Sequence, residues 1–161
     1  MTNRNKLYPF ETTIGKVKPE WIDFNGHLNV GFYHVIFDLG LTHFEEYLGI
    51  NEKWRKKTNF STMVVESHTS HWGELFEGDT ILQRIIILGY DKKKIHIAGE
   101  LFEEQNMRLT ATIENMCLFV NMKTRKVVES PKDIYEKIKF IAEKHAQAPK
   151  PKRLSRTIKI N

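Results

Sequence analysis

Apolar residues recur at spacings of three and four between positions 33 and 48: Tyr33, Phe37, Leu41, Phe44 and Leu48, with Ile36 beside them. This period predicts a helix over about residues 28–48 with one buried face. Gly49 stands where a helix C-cap is expected. Gly40, mid-helix, costs about 1 kcal/mol relative to alanine, which predicts close packing against another backbone.

The rest of the chain mostly follows a period of two. Residues 10–18 alternate in part and predict a strand that Pro19 stops or confines to a sheet edge. Residues 61–75, 80–90, 95–103 and 108–120 read as further strands, separated by Glu77-Gly-Asp79, Asp91-Lys-Lys-Lys94 and Glu104-Gln-Asn106. Residues 51–60 are polar and read as a loop or a short helical turn. After the loop Lys123-Thr-Arg-Lys126, Pro131 opens a second helix to about His145, striped by Ile134, Ile138 and Ile141. Strand, long helix and antiparallel hairpins together predict an α+β fold in which a sheet wraps around the helix.

At 161 residues the chain is expected to form a single domain, with its core at about 10–130, a C-terminal helix at 131–145 and a basic tail at 146–161. The net charge of +5 belongs to that tail: Lys150, Lys152, Arg153, Arg156 and Lys159 carry it, and the remainder holds 20 basic and 20 acidic residues. A neutral body argues against a nucleic-acid-binding face. No apolar run is long enough to span a bilayer, and the N-terminus lacks the apolar segment of a secretory signal. With a single cysteine, Cys117, in a strand-like run, a cytoplasmic protein with a buried structural thiol is expected.

Chemistry concentrates just before the long helix. In Trp-Ile-Asp-Phe-Asn-Gly-His-Leu-Asn, residues 21–29, the polar side chains Asp23, Asn25 and His27 alternate around Gly26, which permits a tight turn. The helix start that follows carries free N–H groups and a partial positive charge, so the amides of Gly26, His27 and Leu28 are candidate donors to an oxyanion. From these residues alone, Asp23 and Asn25 read equally well as turn and cap residues. His27 reads as a proton carrier or a cap. The other histidines point to no metal: His68 and His71 are three apart in a strand, on opposite faces, and His34 with Asp38 is an ordinary helical pair. No phosphate-binding glycine loop and no serine-nucleophile motif is present.

The stretch Asp-x-Asn-Gly-His-x-Asn followed by an aromatic-rich helix resembles the entry to the central helix of hotdog-fold thioesterases. The spacing of Asp23, Asn25, His27 and Asn29 is similar to the plant acyl-carrier-protein thioesterase pattern. Asp23 to Gly26 resembles the catalytic loop of the 4-hydroxybenzoyl-CoA thioesterase group. The resemblance covers about residues 10–130 and implies a hotdog fold with the added C-terminal helix. It implies a thioester hydrolase that takes an acyl-CoA substrate, needs no cofactor beyond the CoA of that substrate, binds neither nucleic acid nor membrane, and assembles as a homodimer or homotetramer. By the same resemblance Asp23 and Glu74 are the catalytic carboxylates, with Asn25 and His27 in support and Glu74 supplied by a second subunit. Trp72 joins the substrate-binding set with Gly26 and Leu28. The pair DFNGHLN and VESHTSHWGELFEGD looks most like the betainyl-CoA thioesterases of carnitine degradation, whose quaternary ammonium an aromatic box would suit. The alternative is a non-catalytic or dehydratase-like hotdog protein that binds acyl-CoA or acyl-carrier-protein substrates.

Overall fold

The computed structural model describes residues 10–151 and residue 154. Strand β1 spans Glu11–Lys16 and leads through a single 3-10 turn, Pro19–Trp21, to helix α1, Val30–Leu48. Helix α2, Glu52–Thr58, precedes strands β2, Phe60–His71, β3, Thr80–Tyr90, β4, Lys94–Glu103, and β5, Arg108–Asn121. A two-residue strand β6, Lys126–Val127, and helix α3, Lys132–His145, are the last elements among the described residues. The strands form one antiparallel sheet in the order β1-β3-β4-β5-β2, with β6 beside β5. The expected hotdog architecture, a curled sheet around one long helix, is the one observed.

The apolar stripe read from the sequence is the buried face of α1: Tyr33, Ile36, Phe37, Leu41, Phe44 and Leu48 are all buried. Asn29 caps the start, its Oδ1 accepting from Gly31 N–H at 2.9 Å, and Gly49 closes the end at φ +94°. The core divides along this helix. Its first half packs on Leu75, Ile81, Leu101, Ala111 and Ile113. Its second half packs on Ile85, Ile87, Ile95, Ile97 and Phe119, and there the stripe of α3 (Ile134, Ile138, Ile141) seals the end of the sheet. His145, 1 % exposed, finishes that seal: its Nδ1 accepts from Ile87 N–H at 2.8 Å and its ring stacks on Phe44. Burial holds this imidazole well below its usual pKa, at about 4.

Gly40 packs closely, as expected, but against a side chain rather than a backbone. A Cβ there would lie 1.9 Å from Gln83 Oε1. Gln83 enters the gap from β3, and its Nε2 donates to the carbonyl of Phe37 at 3.3 Å. Residues 51–60 hold a true helix of seven residues. Asn51 caps it through Trp54 N–H, and Arg55 pairs with Glu45 of α1, whose carboxylate also accepts from Thr62 of β2. Burial raises the pKa of Glu45. Cys117 is buried, and burial with Glu45 nearby pushes its thiol up to about 12, as befits a structural cysteine. No described helix is long and apolar enough to cross a membrane. Of the tail's five basic residues only Lys150 lies among the described residues.

Candidate active site

Residues 22–28 fold into a tight loop because short-range polar bonds close it. An antiparallel bridge joins Ile22 to Leu28, and Asp23 N–H donates to His27 O at 3.0 Å. Inside the loop, Gly26 N–H donates to Asp23 O at 2.9 Å, with Gly26 at φ +80°, a conformation glycine adopts freely. Asp23 Oδ1 accepts from Asn25 N–H at 2.7 Å, an Asx turn that fixes the carboxylate. Leu28 N–H then donates to Leu75 O at 2.7 Å, tying the loop to the segment that follows β2.

That segment presents Glu74. Strand β2 ends at His71, short of the expected residue 75, because Trp72 and Gly73 both donate to the single carbonyl of Thr110 and leave the ladder. Gly73 has little alternative: a Cβ would stand 2.9 Å from Arg108 Nη1 and 3.3 Å from Leu109 O. Arg108 Nη1 in turn donates to Glu74 O at 2.8 Å. The outcome is a row of three side chains. His27 Nδ1 lies 2.8 Å from Glu74 Oε1, and His27 Nε2 lies 3.8 Å from Asp23 Oδ1. Exposure rises along the row, from 14 % at the Asp23 side chain through 30 % at His27 to 61 % at Glu74.

The row opens into a cleft of about 540 Å³ at the start of α1, lined also by Asn25, Leu28, Val30, Tyr33, His71 and Trp72. Tyr33 O–H donates to Gly73 O at 3.3 Å, and its ring meets His71 edge-on at 4.6 Å. Burial raises the Tyr33 phenol, with Arg108 opposing and Glu74 adding. Burial also lowers the His71 imidazole, helped by the charge of His34, so this ring is a neutral wall at pH 7. Trp72 anchors its indole N–H on Thr112 Oγ1 at 3.0 Å.

Of the residues singled out in the sequence, Asp23, Asn25, His27, Leu28, Trp72 and Glu74 all line this one cleft. Three expectations need correction. Glu74 reaches His27 within the same chain, so no second subunit is needed to bring the pair together. The amides of Gly26 and Leu28 already donate to Asp23 O and Leu75 O and are not free for an oxyanion. His27 does not cap the helix; Asn29 does. Phe24 is 98 % exposed at the loop tip. His34 turns to Thr69 Oγ1 at 3.4 Å. The sequence reading missed Val30, His71, Gly73 and Arg108. Only Gly73, directly before Glu74, carried a usable signal, a glycine where backbone and guanidinium crowd together.

The model of the thioesterase-like superfamily matches residues 17–138. Over 152 residues the chain is 28 % identical to a betainyl-CoA thioesterase of Pseudomonas aeruginosa, covering 94 % of each protein. It is 29 % identical over 143 residues to an L-carnitine dehydrogenase/betainyl-CoA thioesterase of Rhizobium meliloti, spanning 89 % of this chain and 29 % of that longer protein. Among solved structures, a hypothetical protein of Staphylococcus aureus in complex with CoA superposes with a TM-score of 0.87 at 27 % identity, over 94 % of this chain and 95 % of the other. A family match across most of the chain, on the same loop and helix that build the cleft, places this protein in the thioesterase-like superfamily.

Proposed function

We propose that the protein hydrolyses a short acyl-CoA thioester to a carboxylic acid and CoA, with betainyl-CoA as the first substrate to test. The observation that carries this reading is His27 held between two carboxylates at the amino end of α1. The betainyl-CoA thioesterase of P. aeruginosa and the CoA-bound S. aureus structure support the choice of substrate class.

Glu74 accepts the proton on His27 Nδ1, which fixes the tautomer and leaves Nε2 as a base facing the cleft. The 3.8 Å between Nε2 and Asp23 Oδ1 lets one water touch both. Asp23 holds that water and Nε2 takes its proton as it attacks the thioester carbonyl. Val30 lines the cleft at the first helical position, and its amide, with that of His27, is where the developing oxyanion is stabilised by the helix start. The tetrahedral intermediate then collapses, the carbon–sulfur bond breaks, and His27 returns the proton to the departing CoA sulfur.

The test is a thiol-release assay across acyl-CoAs, repeated with Asp23→Asn. A drop in kcat/KM of about 10²–10⁴-fold is expected. Release unaffected by the change would remove Asp23 from the mechanism. A single turnover in labelled water separates attack by water from attack by Asp23 itself, because only the latter puts label into the enzyme. The expected pairing of copies falls on β2, a twelve-residue edge strand with Val64 and Val65 exposed, since an unpaired edge of that length seeks a partner. Light scattering on the purified protein reads it directly.

A further inference from the structure

The carboxylate that orients His27 is not steadied by its own surroundings. The Glu74 side chain is 61 % exposed, and residues 72–79 belong to neither strand nor helix. Holding an exposed glutamate to one partner costs it rotamer freedom, and packing does little here to offset that cost. What steadies it is the backbone. Three consecutive carbonyls of the segment are each held by a different part of the fold. Tyr33 O–H of α1 donates to Gly73 O at 3.3 Å, Arg108 Nη1 of β5 donates to Glu74 O at 2.8 Å, and Leu28 N–H of the loop donates to Leu75 O at 2.7 Å.

Arg108 differs from the other two donors. Tyr33 and Leu28 line the cleft, whereas Arg108 is outside that lining and grips the carbonyl of Glu74 itself. It opens β5 opposite Glu103 of β4. The Glu103 carboxylate is taken up by Gln105 N–H at 2.7 Å, Asn106 N–H at 3.1 Å and Asn106 Nδ2 at 2.8 Å. The guanidinium reaches the other way, past Gly73, where a Cβ would stand 2.9 Å from Nη1. Its bond to Glu74 O has a charged donor, which makes it about twice as strong as a neutral one.

We propose that Arg108 is a positioning residue for the hydrolysis: by holding the carbonyl of Glu74 it keeps the Glu74 carboxylate on His27 Nδ1, and so keeps His27 Nε2 as the ring nitrogen free to act in the cleft. The proposal rests on the thioesterase reading and deepens it. The lever is short, because the carbonyl and the carboxylate belong to one residue and Oε1 lies 2.8 Å from Nδ1. A displacement of about 1 Å takes that contact out of hydrogen-bond range. Either ring nitrogen can then carry the proton, and the base is lost from a share of the molecules.

The experiment uses Arg108→Met, which keeps the stem and removes the donor. Arg108 is exposed, so the urea midpoint should stay near that of the wild type. In thiol release from the acyl-CoA turned over best, kcat is expected to fall about ten- to a hundredfold with KM within about twofold. Introduced into Glu74→Gln, the same change should cost less than about twofold, because the group it positions is already gone. An unchanged kcat, a loss confined to KM, or the same fold-loss in both backgrounds overturns the assignment. A second reading needs no turnover: nitrogen-15 spectra of the His27 ring at pH 8 report which nitrogen carries the proton. The wild type is expected to show it on Nδ1, and Arg108→Met and Glu74→Gln both to move population to Nε2. If no acyl-CoA is hydrolysed, the thioesterase reading falls and these spectra alone decide the role of Arg108. A wild-type ring protonated on Nε2, or a population untouched by Arg108→Met, removes it.

Discussion

A histidine from outside α1 packs near each of its ends, His27 before its start and His145 of α3 against Phe44, and the two could hardly differ more. At the start, His27 is 30 % exposed, sits between Asp23 and Glu74 and faces an open cleft. At the end, His145 is 1 % exposed, wedged between Ile87 N–H and Phe44 under the apolar stripe of α3. The first has charged neighbours and access to water, the conditions for moving protons. The second has one neutral donor and a hydrocarbon wall, so it stays neutral and serves packing. The same side chain becomes machinery or mortar according to whether its end of the helix is open or sealed.

The largest expected effect breaks the comparison at the open end. His27→Ala should lower kcat/KM by about a thousandfold, close to 4 kcal/mol of barrier. Its urea midpoint should stay near that of the wild type, because the ring fills no part of the core. A comparable loss of stability would mean that the cleft histidine is structural after all. At the sealed end the pattern reverses. Ile138 is fully buried in the α3 seal, and Ile138→Ala should cost about 3–4 kcal/mol in urea unfolding while the folded fraction keeps its turnover.

His145 sharpens the contrast through pH. Its folded pKa lies at about 4, below the usual 6.5. Between those values the unfolded chain binds the proton and the folded chain does not. Stability from this residue is thus complete above pH 6.5, declines as pH falls through the window, and is gone below about pH 4. The total is about 3 kcal/mol. Urea titrations at pH 7.5, 5.5 and 4.5 should show the decline, and His145→Gln should flatten it. The smallest effect concerns the open end again. Asn29→Ala removes the N-cap and should cost about 1 kcal/mol by the same titration.

The long helix, the four long strands, the C-terminal helix and the Gly49 cap were legible because each rests on local pattern, either apolar period or cap chemistry. The cleft was legible only in part. Asp23 and His27 share one loop, so their proximity is local. Glu74, 47 residues further on, joins them only through the double bond of Trp72 and Gly73 to Thr110 and the grip of Arg108, contacts that no spacing encodes. The free amides were misassigned for a similar reason. Whether Leu28 N–H is available depends on Leu75, a tertiary partner. Helix α2 lacks an apolar period because Arg55, an ion pair and a cap hold it in place of a buried stripe.

The gap at Gly40 has a bearing on all these distances. Because Gln83 fills it, α1 can neither slide along the sheet by one residue nor rotate without driving a side chain into that amide. The spacing at the mouth of the cleft is therefore set ten residues away, by a peg in a notch. Any substitution that widens or fills the notch should detune the reaction centre without touching it.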